Sequence, residues 1–135
     1  MKIEELSVGD WVKCNGFKAT IAGYNAETGS IQVLTKQKNK MWFGIEAIEP
    51  IPLTAEILEK NGLLPPREGL DFDTWWWTNK VDTAIEASEY QGEWQLTIIE
   101  QKEIQYNYRL GLGLKYVHEL QHALTLAKID KDIVL

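Results

Sequence analysis

The sequence predicts an α+β protein: an SH3-like N-terminal β-barrel, a linking helix, and a second antiparallel sheet packed by a C-terminal helix. Three observations predict this class. Short segments of alternating apolar and polar residues, separated by tight turns, follow one another through residue 50. A further group of β-type segments lies between residues 72 and 108. Residues 114–128 then place apolar side chains at helical spacing.

The N-terminal strands are predicted between recognisable turn sequences. Val8–Val12 leads into a first strand, and Phe17–Tyr24 alternates apolar with polar or small residues. Asn25–Gly29 has the composition of a turn, and Ser30–Leu34 is the answering strand. Met41–Ile45 adds another. Four or five short strands in about 50 residues indicate an SH3-like barrel. An ordinary meander has the same pattern, so both architectures stay open at this point.

A short helix is predicted to link the two sheets. Pro50 and Pro52 end the first sheet, because neither can donate a hydrogen bond to a β-ladder. Thr54 is a candidate N-cap for a helix over Ala55–Lys60, and Asn61–Gly62 is typical of a helix end. We therefore predict two subdomains, residues 1–53 and residues 54–135, that share one core.

The second sheet is predicted from four segments, after which the chain becomes helical. The predicted strands are Phe72–Thr78, Thr83–Ser88, Trp94–Glu100 and Glu103–Tyr108. Gly111 and Gly113 are expected to shape the start of a helix over Leu114–Lys128. On a helical wheel, Leu120 and Leu124 lie on its apolar stripe, and we expect both to be core residues.

Composition limits the class of partner. The 135 residues carry a net charge of −6, which is unevenly spread: residues 1–64 have 7 Lys against 8 acidic residues, and residues 65–135 have 7 Lys and Arg against 12. An acidic surface repels phosphate backbones, so nucleic-acid binding is not expected of the second half. The run Lys36–Lys40 is the only basic cluster in the sequence, and we interpret it as a solvated hairpin tip.

The sequence predicts a cytoplasmic protein with no cofactor. The first residues lack the apolar segment of a secretory signal, and no apolar run has the length of a membrane span. A single cysteine, Cys14, excludes an internal disulfide. We interpret it as a strand or turn residue, although a nearby histidine would make it a candidate nucleophile.

The string His118-Glu119-Leu120-Gln121-His122 has the HExxH pattern of zinc peptidases. On a helix, His118 and His122 share one face and can bind Zn²⁺, while Glu119 can act as general base toward a bound water. A third ligand is missing from the pattern, because the thirteen residues after His122 contain neither His nor Glu. Both histidines point away from the apolar stripe, as they would in a zinc-peptidase helix and in a plain surface helix alike. Because no third ligand is marked, the favoured interpretation is a solvated helix face and the alternative is a zinc-dependent hydrolase.

Trp75-Trp76-Trp77 is the most unusual composition feature of the chain. In a strand, Trp75 and Trp77 share one face and Trp76 takes the other. Either all three pack inside the molecule, or part of the triplet is exposed as an anchor for a partner. Base stacking is disfavoured, since Asp71 and Asp73 precede the run. The triplet is therefore a candidate protein-binding site.

Three strings give the chain a resemblance to a group of small uncharacterised proteins carried by phages, prophages and mobile elements of Bacteroides-type bacteria. The strings are Leu6–Val12, Ile48–Thr54 and Lys115–His122, and the resemblance spans nearly the whole chain. In that group the last string ends Y-V-H-Q-L-Q-N, with Gln at the position of Glu119 and Asn at that of His122. The resemblance thus implies a structural helix rather than a peptidase motif.

Together these observations predict a non-enzymatic protein-binding module, in which phage or mobile-element context implies an accessory role toward a host or phage protein. A specific version is inhibition of a host defence system, in which the acidic second half competes for a nucleic-acid-binding groove. The rival class is the zinc-dependent hydrolase using His118, Glu119 and His122.

Overall fold

The computed structural model describes residues 2–66, 74–79, 82–101 and 105–135. Over these ranges the protein is α+β, with a five-stranded and a four-stranded antiparallel sheet and two α-helices. The chain divides into two compact units. The first is Met1–Pro52 with Tyr116–His118, and the second is Leu53–Lys115 with Glu119–Leu135. The predicted α+β class is confirmed.

The first unit contains the five-stranded sheet. Its strands are β1 (Trp11–Cys14), β2 (Phe17–Asn25), β3 (Ser30–Thr35), β4 (Lys40–Gly44) and β5 (Ile48–Pro50). They pair in the order β4-β3-β2-β1-β5, and a 3-10 turn at Ile45–Ala47 immediately precedes β5. In the described part of the chain no pairing joins the edge strands β4 and β5, so the predicted barrel is not seen to close.

One face of this sheet forms the core of the first unit. Alternation along β1 and β3 places every second side chain on that face, as the pleat of a strand requires. The buried core residues are Val12, Cys14, Ala19, Ile21, Ile31, Val33 and Ile48. Phe17 and Phe43 pack against it edge to face, with ring centroids 5.9 Å apart. The core is thus built from the alternation that the sequence displays.

The turns of the first unit follow from their residues. Asn15 and Gly16 both have positive φ, 46° and 90°, as expected for the two-residue turn that suits a twisted hairpin. In the next turn, the Asn25 carbonyl accepts the Gly29 N–H at 2.8 Å, and its side-chain oxygen accepts the Glu27 N–H at 2.9 Å. The turn predicted over 25–29 is confirmed.

The second unit contains the linking helix and the four-stranded sheet. Its elements are α1 (Ala55–Lys60), β6 (Thr74–Thr78), β7 (Thr83–Tyr90), β8 (Glu93–Gln101), β9 (Gln105–Leu114) and α2 (Val117–Leu126), of which α2 begins in the first unit. The sheet order is β6-β7-β8-β9. Parts of the predicted first and fourth strands, at residues 72–73 and 103–104, lie outside the described residues. The Thr54 hydroxyl accepts the Ile57 N–H at 3.3 Å, which confirms the predicted N-cap.

Strand register gives the second sheet one apolar face. Trp75 pairs with Ala87, and Trp77 pairs with Ile85. The buried side chains of β7 and β8 on this face are Ile85, Ala87, Trp94, Leu96 and Ile98. The opposite face is more polar, as the hydrogen bond between the Thr74 and Ser88 hydroxyls at 3.2 Å illustrates.

The predicted start of the C-terminal helix was wrong. Gly111 and Gly113 belong to β9, which runs on to Leu114, and the helix begins only at Val117. The physical reason lies in the register: β9 has an irregularity opposite residues 94–96, and Gly113 takes a φ of 76° there. A glycine in that position is typical of a bulge inside a strand.

The helix also ends earlier than predicted, at Leu126. Lys128 adopts a left-handed φ of 58°. The Ile129 N–H donates to the Leu124 carbonyl at 2.9 Å, and the Lys128 N–H donates to the Thr125 carbonyl at 3.0 Å. These two bonds make a Schellman motif, which satisfies the last carbonyls of the helix. Lysine occupies the position that glycine usually takes, so the sequence has no glycine there from which the end of the helix could be predicted.

The interior of α2 follows the predicted apolar stripe. Val117, Leu120 and Leu124 are buried, which confirms Leu120 and Leu124 as core residues. After the helix, Ile133 and Leu135 are also buried although residues 129–135 form no regular element. Across the described ranges, neither α-helix has the length and hydropathy of a bilayer-crossing segment.

Candidate binding surface

His118 is buried, with 4% of its surface exposed, and the prediction that it lies on a solvated helix face was wrong. The first turn of α2 is enclosed rather than open. Tyr116 pairs with Pro52, and the Val117 N–H donates to the Ile51 carbonyl at 2.9 Å. The His118 ring stacks on Tyr116 with centroids 5.8 Å apart and planes 7° from parallel. A helical wheel cannot foresee this, because it assumes that one side of the helix is open throughout.

Glu119 helps to start α2. Its Oε1 accepts the backbone N–H of Lys115, which lies two residues before the first residue of the helix, at 3.1 Å. A carboxylate in the first turn is also favoured by the partial positive charge of a helix N-terminus. His122, one turn later, is half-buried. In the portion of the chain that the structure describes, no three His, Cys, Asp or Glu side chains are grouped to hold a metal ion.

The tryptophan triplet forms β6, and its three side chains are half-buried. Trp75 and Trp77 lie on the apolar face of the sheet, and Trp76 lies on the opposite face across from Glu86. The Lys131 ammonium lies 5.0 Å from the centroid of the Trp77 ring. Part of the triplet therefore contributes to packing within the second unit.

The backbone of Trp76 is paired on both sides. On one side it faces Glu86 in β7, and on the other it forms a two-bond bridge with Leu64. The Leu64 N–H donates to the Trp76 carbonyl at 2.7 Å, and the Trp76 N–H donates to the Leu64 carbonyl at 3.1 Å. Any role of Trp76 in binding thus falls to its half-buried side chain.

Trp42 is the most open of the six tryptophans, with 54% of its surface exposed. It lies in β4, at an edge of the first sheet, and opposite Gln32 of β3. Its neighbours Lys40 and Met41 are exposed as well, Met41 to 42%. We call these three side chains of β4 the edge surface. A large, exposed aromatic beside an edge strand is a favourable anchor for a protein partner.

The sequence predicted the strand but missed the edge surface. Periodicity identifies Met41–Ile45 as extended, yet it does not reveal that no further strand of the described ranges pairs with the outer side of β4. One local signal was present: lysine is common beside exposed sheet edges, and Lys40 begins β4. The predicted hairpin tip is confirmed, since residues 36–39 join β3 to β4 and Lys38 there has a φ of 64°.

Cys14 ends β1 in the core of the first unit, which confirms its interpretation as a strand residue. Burial raises the pKa of its thiol to about 11. The reactive form of cysteine is the thiolate, so a raised pKa disfavours nucleophilic chemistry at neutral pH. Its side chain contributes packing.

The edge surface is therefore the candidate site that exposure and strand position support best. Comparison with known proteins adds no evidence about this site, because no protein-family model, no curated protein and no solved structure matches this chain.

Proposed function

We propose that this chain is a non-enzymatic protein-binding module that contacts its partner through the edge surface. The observation that carries the proposal is the exposure of Trp42 on an edge strand. Tryptophan is enriched among the residues that dominate binding energy, and an edge strand offers backbone N–H and C=O groups to an added strand. The tryptophan triplet is the second candidate region, through the outward face that bears Trp76.

We also propose that the first unit belongs to the SH3-like class. The strand order β4-β3-β2-β1-β5 and the 3-10 turn directly before β5 support this assignment. So does the strong curvature expected of β2, whose register shifts between Ile21 and Gly23. A bulge of this kind increases strand twist, as a sheet that curls on itself requires.

The wider role that we propose is that of a phage or mobile-element accessory protein acting in the cytoplasm on a host or phage protein. The three strings near residues 6–12, 48–54 and 115–122 support that context by their resemblance. Inhibition of a host defence system is the specific version, supported by the net charge of −6 and its concentration in residues 65–135.

A paired affinity capture tests the binding function. The protein and its Trp42→Ala variant would each be used as bait in a host lysate, with bound proteins quantified by mass spectrometry. We expect specific partners to be lost with Trp42→Ala. Tyr24→Ala is the matched control, because Tyr24 is an aromatic of the same sheet with 63% exposure and lies two strands away from Trp42, in the interior strand β2. Equal recovery by all three proteins would contradict the proposal.

A further inference from the structure

Lysine side chains that are distant in the sequence meet at one end of the first sheet. Lys13 and Lys18 face each other across the β1–β2 hairpin. Because Ala19 pairs with Thr35, the turn at residues 15–16 and the turn at residues 36–39 lie at the same end of the sheet. The basic run of the second turn is therefore extended in space by lysines of the first.

We call this cluster the lysine end. Its five members are all exposed: Lys13, Lys18, Lys36, Lys38 and Lys40. Glu49 is the one acidic residue that register places beside it, opposite Lys13. Glu27 lies in the β2–β3 turn and Glu46 follows β4, both at the other end of the sheet. Along the strands and hairpin turns of the first sheet, positive charge is thus concentrated at one end, although residues 1–64 are nearly neutral in total.

Two features of the lysine end lower stability. Like charges directly opposite each other on adjacent strands repel, as Lys13 and Lys18 do, and Glu49 on the other side of Lys13 offsets part of this repulsion. Lys38 occupies the left-handed region of backbone space, which is unfavourable for a side chain with a β-carbon. Such local costs concentrate at sites where a side chain has a binding function. An anionic ligand would relieve the repulsion between the lysines.

A shallow cavity lies between the two turns. Its volume is about 320 Å³, and it is lined by Gly16, Phe17, Lys18, Thr35, Lys36 and Gln37. The lining residues are thus two lysines, a threonine, a glutamine and a glycine, together with one half-buried phenylalanine. This is the chemistry that receives a carboxylate on a short aliphatic stem.

We propose that the lysine end and the edge surface together bind an extended acidic segment of a protein partner. The inference rests on the proposed binding function and specifies its ligand. Lys40 belongs to both surfaces, so one strand added along β4 would place an apolar side chain on Trp42 and carboxylates near the lysines.

Two features favour a peptide over a nucleic acid as the ligand. A sheet edge offers a ladder of hydrogen-bonding groups that only another polypeptide backbone matches. A long polyanion would also extend into the field of a chain with net charge −6.

Three fluorescein-labelled peptides test the proposal. Each has the repeat Val-Thr-X-Thr, in which valine and the test residue X lie on the same face of a strand, as Trp42 and Lys40 do; X is glutamate, glutamine or lysine. We expect the glutamate peptide to bind at least about tenfold more tightly than the glutamine peptide, and this difference to shrink as NaCl rises from about 50 to about 500 mM. The amide signals of residues 36–42 should shift on titration. Equal affinity for the glutamate and glutamine peptides would overturn the inference.

Two double variants distinguish an effect of the lysine end on peptide binding from an effect of the net charge of the protein. Lys36→Glu with Lys38→Glu should weaken binding of the glutamate peptide by about tenfold or more. The control is Lys60→Glu with Lys128→Glu, which replaces two exposed lysines of the second unit and changes the net charge by the same amount. This variant should bind the glutamate peptide with an affinity within about twofold of the wild-type value. An equal loss in both would reduce the effect to net charge and overturn the inference.

Failure of this inference can be distinguished from failure of the proposed function. If the glutamate and glutamine peptides bind equally and both are lost with Trp42→Ala, the edge surface binds protein without acidic preference. If glutamate-peptide binding is unchanged by Trp42→Ala, the edge surface is not part of the site and the combined proposal fails. Tighter binding of a single-stranded oligothymidine, lost with the lysine variant, would assign the lysine end to nucleic acid instead.

Discussion

Asn61 holds the backbone of Val134 through two hydrogen bonds. The Val134 N–H donates to Asn61 Oδ1 at 2.7 Å, and Asn61 Nδ2 donates to the Val134 carbonyl at 2.9 Å. Nδ2 also donates to the Ile57 carbonyl at 2.8 Å, so both donors and the acceptor of this buried amide are used. The side chain that ends α1 thus also fixes the segment carrying Ile133 and Leu135.

Asn61→Ala should destabilise the protein by about 1–3 kcal/mol, because it leaves the N–H and the carbonyl of Val134 without their side-chain partner. Denaturant melts measure this cost. Hydrogen exchange at the Val134 amide should accelerate more than global unfolding explains. Asn39→Ala, at an exposed turn, is the control and should change stability by less than about 0.5 kcal/mol. Similar costs for both variants would contradict the anchoring role of Asn61.

Lys128→Gly should stabilise the protein by about 0.5–1 kcal/mol. Lys128 has a φ of 58°, where glycine lacks the steric penalty of other residues. Lys60→Gly is the matched control, because Lys60 has helical geometry at the end of α1 and the same substitution there should destabilise by a similar amount. Thermal unfolding of the two variants gives the sign, and destabilisation by Lys128→Gly would contradict the Schellman geometry.

His118→Ala should cost about 1–3 kcal/mol, since the ring is buried and stacked on Tyr116. His122→Ala, one helical turn later and half-buried, should cost less than about 1 kcal/mol. Leu124→Ala serves as the reference for a buried core residue and should lower the free energy of unfolding by roughly 2–5 kcal/mol. Denaturant melts of the three variants rank them, and a larger loss for His122→Ala than for His118→Ala would be inconsistent with this geometry.

Glu119 separates the structural and catalytic interpretations of the HExxH string. Glu119→Gln keeps an oxygen that can accept the Lys115 N–H and should change stability by less than about 0.5 kcal/mol. Glu119→Ala removes that acceptor and should cost about 0.5–2 kcal/mol. We expect protein purified without chelator to hold no near-stoichiometric zinc by metal analysis. One zinc per chain, lost on His118→Ala, together with hydrolysis abolished by Glu119→Gln, would establish the hydrolase instead.

Cys14 should make stability fall at alkaline pH. Burial raises its pKa from 9.0 to about 11. Between these values the folded chain keeps a proton that the unfolded chain has lost, so the free energy of unfolding decreases as pH rises. Below about pH 9 the thiol is neutral in both states and contributes no pH dependence. From about pH 8.5 to about pH 11, the wild type should lose on the order of 1–3 kcal/mol more than Cys14→Ala. Parallel stability curves would contradict the raised pKa.

Local signals in the sequence identified most of the elements. Alternation predicted the strands of the first sheet, and the turn at Asn25–Gly29 and the cap at Thr54 were predicted from the chemistry of their residues. These features depend on a few neighbouring residues. The sequence predicts such features well, because the residues whose backbone forms the turn, cap or strand are the same residues whose side chains favour it.

The errors share a different physical origin. Gly113 was assigned to a helix start, but its positive φ serves the pairing of β9 with β8, two strands whose register no local pattern displays. His118 was expected in solvent, but the pairing of Tyr116 with Pro52 encloses the first turn of α2. The exposure of Trp42 was not predicted, because the position of β4 at the sheet edge depends on the order of all five strands. Each depends on residues distant in sequence.

The discontinuity of the first unit has a consequence for the order of folding. Its strands come from the first 52 residues. Its remaining backbone contacts join Pro52 to Tyr116 and Ile51 to Val117, and they can form only after the segment that follows the second sheet has been made. Closing so long a loop costs entropy that local hairpins do not. During synthesis, the first five strands can therefore pair early, while the segment 116–118 joins them only after the second sheet has been synthesised.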